Sequence, residues 1–509
     1  MQRILYFRYF LVFLSATFLT VLSAPIPHYD LSKRQTTGGK LVFSHFMIGI
    51  VSDRTSASDY DADMQRAKSY GIDAFALNIG VDDYTDTQLE YAYESAANND
   101  MKVFLSFDFN WWDSTDASGI GSKIAQYGSK SAQLTINGKV FVSSFSGDSL
   151  DIATVCSIVG LDLFMAPNFH PGEGDFSNLN GALNWMGWPN DGNNKALQEG
   201  IDITVTDGDS TYLTTLANKS LIALVSPWFF THFGMEVTYS KNWVFPSDLL
   251  WYQHWNNILT SVPEYVEIVT WNDYGESHYV TPLSSPHTDD GGSKWVNDMP
   301  HDGWLDMAKP FISAYKNGST TVSDYISDDQ IIYWYRSTPR DIDCDFTDTT
   351  MGTANNMSGN YFNGCPNSWE TLTDEVFVVS LLTANGTVTV NSRSTEYSYD
   401  ALAGASAFSV PMGVGAQAFA LTRDGGPVMN GTSLKEIVLE CVYGIYNFNA
   451  YVRTVPARDS DSLQADGLAA LTSGLAVACE ATPSLPATAP ATVAVTATAT
   501  PTPAPTVSV

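Results

Sequence analysis

Between Lys40 and about Gly318, short apolar runs alternate with longer stretches of helical character, and this alternation limits the folds open to the chain. Candidate strands are Leu41–Val51, Ala74–Leu77, Lys102–Phe107, Lys139–Ser144, Leu161–Ala166, Ile201–Val205, Leu221–Ser226 and Tyr265–Trp271. Candidate helices include Ser58–Tyr70, Thr85–Asn98 and Ser118–Tyr127, with a last one through Leu305–Tyr315 that Pro310 should bend or interrupt. Eight strands with helices between them, over about 280 residues, match a (β/α)8 TIM barrel of the α/β class. The rival, an open doubly wound sheet, would be expected to carry G-x-G-x-x-G after its first strand, and that fingerprint is missing.

After about Asp324 the pattern changes. Val376–Leu382, Val388–Asn391 and Ala418–Thr422 read as strands, with Asn-Gly and Asp-Gly-Gly turn signals among them. An all-β accessory domain is therefore expected behind the barrel. The whole chain divides into a signal peptide (1–24), a pro-segment (25–39), the barrel (40–320), a β-rich domain (325–480) and a tail (481–509). That tail is nearly all Pro, Ala, Thr, Ser and Val, a composition that cannot bury a core.

Arg3 and Arg8 precede an apolar run that closes on Leu22-Ser23-Ala24, the form of a secretory leader. The run falls short of the ~20 residues that span a bilayer, so no membrane partner is expected after cleavage. Sequons at Asn218, Asn317, Asn356, Asn385 and Asn430 agree with an extracellular or cell-wall destination. With 55 acidic against 25 basic residues, the net charge of −30 disfavours nucleic acid as a partner; a monomer with a neutral substrate is expected. Five cysteines leave at least one unpaired. Proximity favours Cys344–Cys365 and Cys441–Cys479 among three possible pairings, and Cys156 reads as a buried free thiol. No Cys/His spacing suggests zinc, and neither a metal nor another cofactor is expected.

Catalytic groups of a barrel project from the C-terminal ends of its strands. The last strand runs into Trp271-Asn272-Asp273-Tyr274-Gly275-Glu276-Ser277-His278-Tyr279, which sets two carboxylates three residues apart among aromatics. Glycosidic bond cleavage needs such a pair: one carboxyl protonates the leaving oxygen, and the other activates water or attacks carbon. Asp273 and Glu276 are the candidate catalytic residues. Other strand ends supply candidate substrate contacts: His45, Asn78, Asp108, Asn110, Trp111, Asn168, His170 and Trp228, joined by Trp271 and Tyr279 of the loop itself. The apolar faces of sugars stack on aromatic rings, although core packing claims most tryptophans.

Four blocks carry a family resemblance: Leu41–Gly49, Gly71–Gly80, Phe104–Asp108 and Trp271–Ser277. They resemble, in order, those of the fungal α-1,3-glucanases (mutanases) of glycoside hydrolase family 71, over about Lys40 to Cys479. The resemblance implies an endo-acting, inverting hydrolase of α-1,3-glucan. Asp273 would be its general base and Glu276 its general acid, with the acid's pKa raised by its surroundings. It also implies a polysaccharide partner.

Two other readings compete. Gly147-Asp148-Ser149-Leu150 looks like the nucleophile block of one class of serine esterases, and Asp298-Met299-Pro300-His301 would complete a triad. Alternatively, the chain binds wall glucan without cleaving it. Lys33-Arg34 offers a dibasic processing site, so N-terminal sequencing of secreted protein should begin at Gln35. A start at Pro25 would remove that step.

Overall fold

The computed structural model describes residues 39–457, apart from 193, 198–202, 234–240, 289–292, 297 and 349–363. Leader, pro-segment and tail lie outside the described residues. So do the sequon at Asn356 and the cysteine at 479. Asn218, Asn317, Asn385 and Asn430 are exposed. No helix among the described residues is long and apolar enough to cross a membrane.

The first part of the chain is a mixed α/β fold built on a curled parallel sheet. Its strands are β1 (Leu41–Met47), β2 (Ala74–Ile79), β3 (Lys102–Asp108), β4 (Lys139–Phe145), β5 (Leu163–Met165), β6 (Gly181–Leu183), β7 (Ser220–Val225) and β8 (Tyr265–Ile268). β1 pairs in parallel with both β2 and β8, so first and last strands are neighbours. Parallel pairing continues through β3, β4 and β5 on one side, and through β7 and β6 on the other. Between β5 and β6, Asn180 N donates to Met165 O (2.9 Å) and Leu183 N to Pro167 O (3.0 Å).

Alternation along these strands decides which side chains face inward. Phe43, Phe104, Phe141, Phe164 and Tyr265 fill the concave face as one aromatic cluster, with successive ring centroids 4.7–5.1 Å apart from Phe43 through Phe104 and Phe141 to Phe164. Val42, Phe46, Phe75, Leu77, Val103, Leu105, Val266 and Ile268 point outward into a second core under the helices. These helices are α1 (Asp61–Ser69), α2 (Thr85–Asn98), α3 (Ala117–Tyr127), α4 (Ile152–Val159), α5 (Val205–Leu216), α6 (Leu250–Ser261) and α7 (Gly303–Lys316). Pro310 lies inside α7 without ending it.

Two expected elements differ. Of the expected strand Ile201–Val205, residues 201 and 202 lie outside the described residues; Val205 opens α5, Thr204 caps it, and the sixth strand is Gly181–Leu183. Three residues without β-branching carry too little β signal to be seen in isolation. Cys156 is exposed, because α4 is amphipathic and buries Ile152, Val155 and Val159 instead.

The later strands β9 (Gln330–Arg336), β10 (Glu375–Leu382), β11 (Gly386–Ser392), β12 (Thr395–Ala401), β13 (Gly404–Pro411), β14 (Ala418–Arg423), β15 (Gly426–Thr432) and β16 (Ala450–Val455) form two antiparallel four-stranded sheets. They enclose a separate core that includes Tyr333, Val378, Val390 and Phe419. The disulfide is Cys344–Cys441, with Cα atoms 5.8 Å apart, and Cys365 is a free thiol. The expected Cys344–Cys365 pairing is corrected: the fold brings together cysteines 97 positions apart, which chain proximity could not foresee.

One buried ion pair ties helix to sheet. Asp63 of α1 meets Arg54 at 2.8 Å, and its other oxygen accepts from Trp271 Nε1 at 3.0 Å and from Ser285 Oγ at 2.9 Å. Removing one partner of a buried pair leaves an uncompensated charge. Asp63→Ala is expected to cost about 3–5 kcal/mol of stability in denaturant unfolding; a cost under about 1 kcal/mol would contradict this role.

Candidate active site

The chain leaves β8 into a loop that is anchored at both ends. Trp271 N donates to His45 O (2.7 Å), while Val280 N and Thr281 N both donate to Trp271 O. Asn272 clasps Met47, accepting from its N at 2.7 Å and donating to its O. Between these anchors Asp273 N donates to Thr270 Oγ1, and Glu276 N donates to Asp273 Oδ1 at 3.1 Å. Ser277, at φ 60°, then turns the chain inward. Asp273 and Glu276 remain partly exposed, with side chains 15% and 21% accessible.

His278 lies beneath both carboxylates. Its Nε2 is 3.0 Å from Glu276 Oε2 and 3.6 Å from Asp273 Oδ2. Burial drives its pKa down to about 4, outweighing the attraction of Asp273, and the ammonium of Lys241 pushes the same way. The ring is therefore neutral at mildly acidic pH. Lys241 forms an ion pair with Glu276 Oε1. That contact sets an ammonium against the carboxylate expected to be the acid.

Asp108 ends β3 and is buried. Burial raises its pKa, opposed by Asn110 N–H, His45, the Asn78 side chain and Lys241. The structure thus brings Asn78, Asp108, His45 and Lys241 toward the same side as Glu276. His45 is fully buried and pairs through Nδ1 with Glu267 Oε1 at 2.8 Å. Glu267, a charged residue at an inward position of an apolar strand, was missed in the sequence although its setting was a signal. Lys241 had none: it stands in a hairpin, Phe230–Phe233 with Lys241–Val244, outside the strand–helix pattern.

The remaining candidates fall into two groups. Trp111 is 53% exposed, and Asn110 and His170 are exposed as well, with His170 paired to Asp148 at 2.7 Å. Buried instead are Trp228, which donates to Phe448 O, and Asn168, bonded to Leu183 O and Tyr212 Oη. Trp271 is buried on Asp63. Tyr279 stacks on His301 and donates to Met299 O. In this conformation these four pack the walls rather than face solvent.

The esterase triad is not assembled. Ser149 Oγ lies 2.6 Å from Ser114 Oγ, while both ring nitrogens of buried His301 meet backbone carbonyls, of Tyr279 and Ala450. Among the described residues, two groups could offer ligand atoms to a metal, Asp148–His170–Glu173 and Asp273–Glu276–His278, with those atoms within 4.8 Å of one another in each group.

Residues 38–464 match the model of glycosyl hydrolase family 71. The chain belongs to that family. It is 39% identical to a mutanase of Penicillium rubens over 450 residues, covering 87% of this chain and 95% of that one. It is 34% identical to a glucan endo-1,3-alpha-glucosidase of Schizosaccharomyces pombe over 438 residues, covering 82% and 95%. Among solved structures it resembles a GH99 endo-alpha-mannosidase of Bacteroides thetaiotaomicron, at 12% identity and a TM-score of 0.37 over 54% of this chain and 98% of that one.

The neutral state of His278 has a consequence for stability. In the unfolded chain the ring takes up its proton below about 6.5, in the folded protein only below about 4. Its contribution is complete above the first value and lost as pH falls toward the second, at most about 3 kcal/mol. Denaturant unfolding of His278→Gln should show a flatter pH dependence across that window than the parent, and an equal slope would refute it.

Proposed function

We propose that this family 71 enzyme is a secreted, monomeric endo-hydrolase of α-1,3-glucan that acts at or near fungal cell walls. The observation carrying it is the pair of partly exposed carboxylates, Asp273 and Glu276, side by side on the loop after β8 in a chain of this family. Residues 40–320 are read as a closed (β/α)8 barrel, supported by the β8–β1 pairing and the bonds across β5 and β6. Residues 325–480 are read as a β-rich accessory domain that covers its side.

Glu276 protonates the glycosidic oxygen and Asp273 activates water. Glu276 must first take up a proton, so substrate binding draws Lys241 away from it, toward sugar hydroxyls or Asp108. Asn78, Asp108, Asn110, Trp111 and His170 line the approach, and His45 braces Asp108 from below. Buried Asn168, Trp228, Trp271 and Tyr279 support the walls in this reading. No cofactor enters the scheme.

Inversion needs carboxyls roughly 6.5–9.5 Å apart, and a retaining pair about 5–5.5 Å. The nearest oxygens of Asp273 and Glu276 stand within 4.8 Å in the free protein, so the pair must widen around the entering water. Proton NMR of products from linear α-1,3-glucan should show the β-anomer first, with Asp273→Asn and Glu276→Gln each slowing release at least about a hundredfold. Initial α-anomer would exclude inversion. Full turnover in both variants would exclude the pair.

A further inference from the structure

Trp185 follows β6 by two residues and is partly exposed, whereas Trp188, Trp228 and Trp271 are fully buried. Its ring meets His45 of β1 edge-on at 5.0 Å and Phe145 of β4 at 4.8 Å. Neither strand neighbours β6 in the sheet, so the indole reaches across the C-terminal end of the curled sheet instead of packing beside its own strand.

The segment lies close on the end of β7: a Cβ on Gly187 would fall 3.0 Å from Leu224 Cδ2 and 3.1 Å from Ser226 Cβ. Asn184 steadies the start of the segment, accepting from Met186 N and donating to Asp209. At the far end Trp188 meets the His278 ring at 5.0 Å, behind Asp273 and Glu276. At the near end Phe145 stands in register with Asp108. The partly exposed indole therefore shares His45 as a neighbour with Asp108, and its segment ends behind the carboxylate pair.

We propose that the exposed part of Trp185 is the platform on which the glucosyl ring entering the Asp273–Glu276 site stacks, which makes it a specificity-determining residue. The apolar C–H face of a pyranose fits an aromatic surface, and polar groups on either side would orient its hydroxyls. This inference rests on the glucanase reading.

The test uses full-length Glu276→Gln protein and linear α-1,3-linked glucotetraose. N-bromosuccinimide oxidation followed by peptide mapping should modify Trp185 in the free protein and spare it at saturating oligosaccharide. Equal oxidation in both overturns the platform. In the active enzyme, Trp185→Ala should raise KM about tenfold with kcat largely kept, and Trp185→Phe should recover much of the loss. A folded Trp185→Ala enzyme with unchanged KM also overturns the platform while leaving the glucanase reading intact. If the parent enzyme releases no reducing ends from α-1,3-glucan, that reading falls and takes the platform with it.

Discussion

The geometry of the candidate site depends on the buried carboxylate of Asp63. One charge on α1 neutralises Arg54, receives the indole N–H of Trp271 and receives the hydroxyl of Ser285. Arg54 in turn bonds the carbonyls of Asp59 and Pro286 and lies over the Tyr60 ring, 4.2 Å from its centroid. Helix α1, the start of the loop after β8 and the segment that follows it are thus held by one desolvated group. Such a group has few tolerable alternatives, because each lost partner leaves charge or polarity buried. With Trp271 fixed, the loop can only project Asp273 and Glu276 outward.

The electrostatics of the site follow from what surrounds that projection. The chain is strongly acidic, and the candidate site gathers three carboxylates, Asp108, Asp273 and Glu276. One ammonium, that of Lys241, pairs with Glu276 and influences both Asp108 and His278. His278 contributes polarity without charge, since burial outweighs its acidic neighbour. Part of this negative charge in the free protein is offset by one flexible lysine side chain.

Much of this was legible in the sequence, for physical reasons that differ by element. Strands such as Ala74–Ile79 and Lys102–Asp108 are buried on both faces and show as mainly apolar runs, Ala74–Leu77 and Val103–Leu105. Helix Thr85–Asn98 matched its expected ends, since its buried face repeats at Leu89, Ala92, Tyr93 and Ala96. The carboxylate pair was visible because charge directly after a buried strand is uncommon. Gly181–Leu183 was hidden, being short and weakly patterned. The Cys344–Cys441 bond was hidden because it depends on tertiary contact. Lys241 and Trp185 escaped because their roles come from reaching across the sheet end, which no local spacing encodes. The burial of Trp228, Trp271 and Tyr279 could not be told from exposure either, as aromatics serve core and cleft alike.

The most direct test is a crystal structure of Glu276→Gln protein with a bound α-1,3-linked gluco-oligosaccharide. The account requires a glycosidic oxygen within hydrogen-bond reach of residue 276, a water held by Asp273 on the opposite face of the anomeric carbon, and Lys241 moved off residue 276. A sugar chain bound away from the loop after β8, or an anomeric carbon with both carboxyl positions on one face, would contradict it.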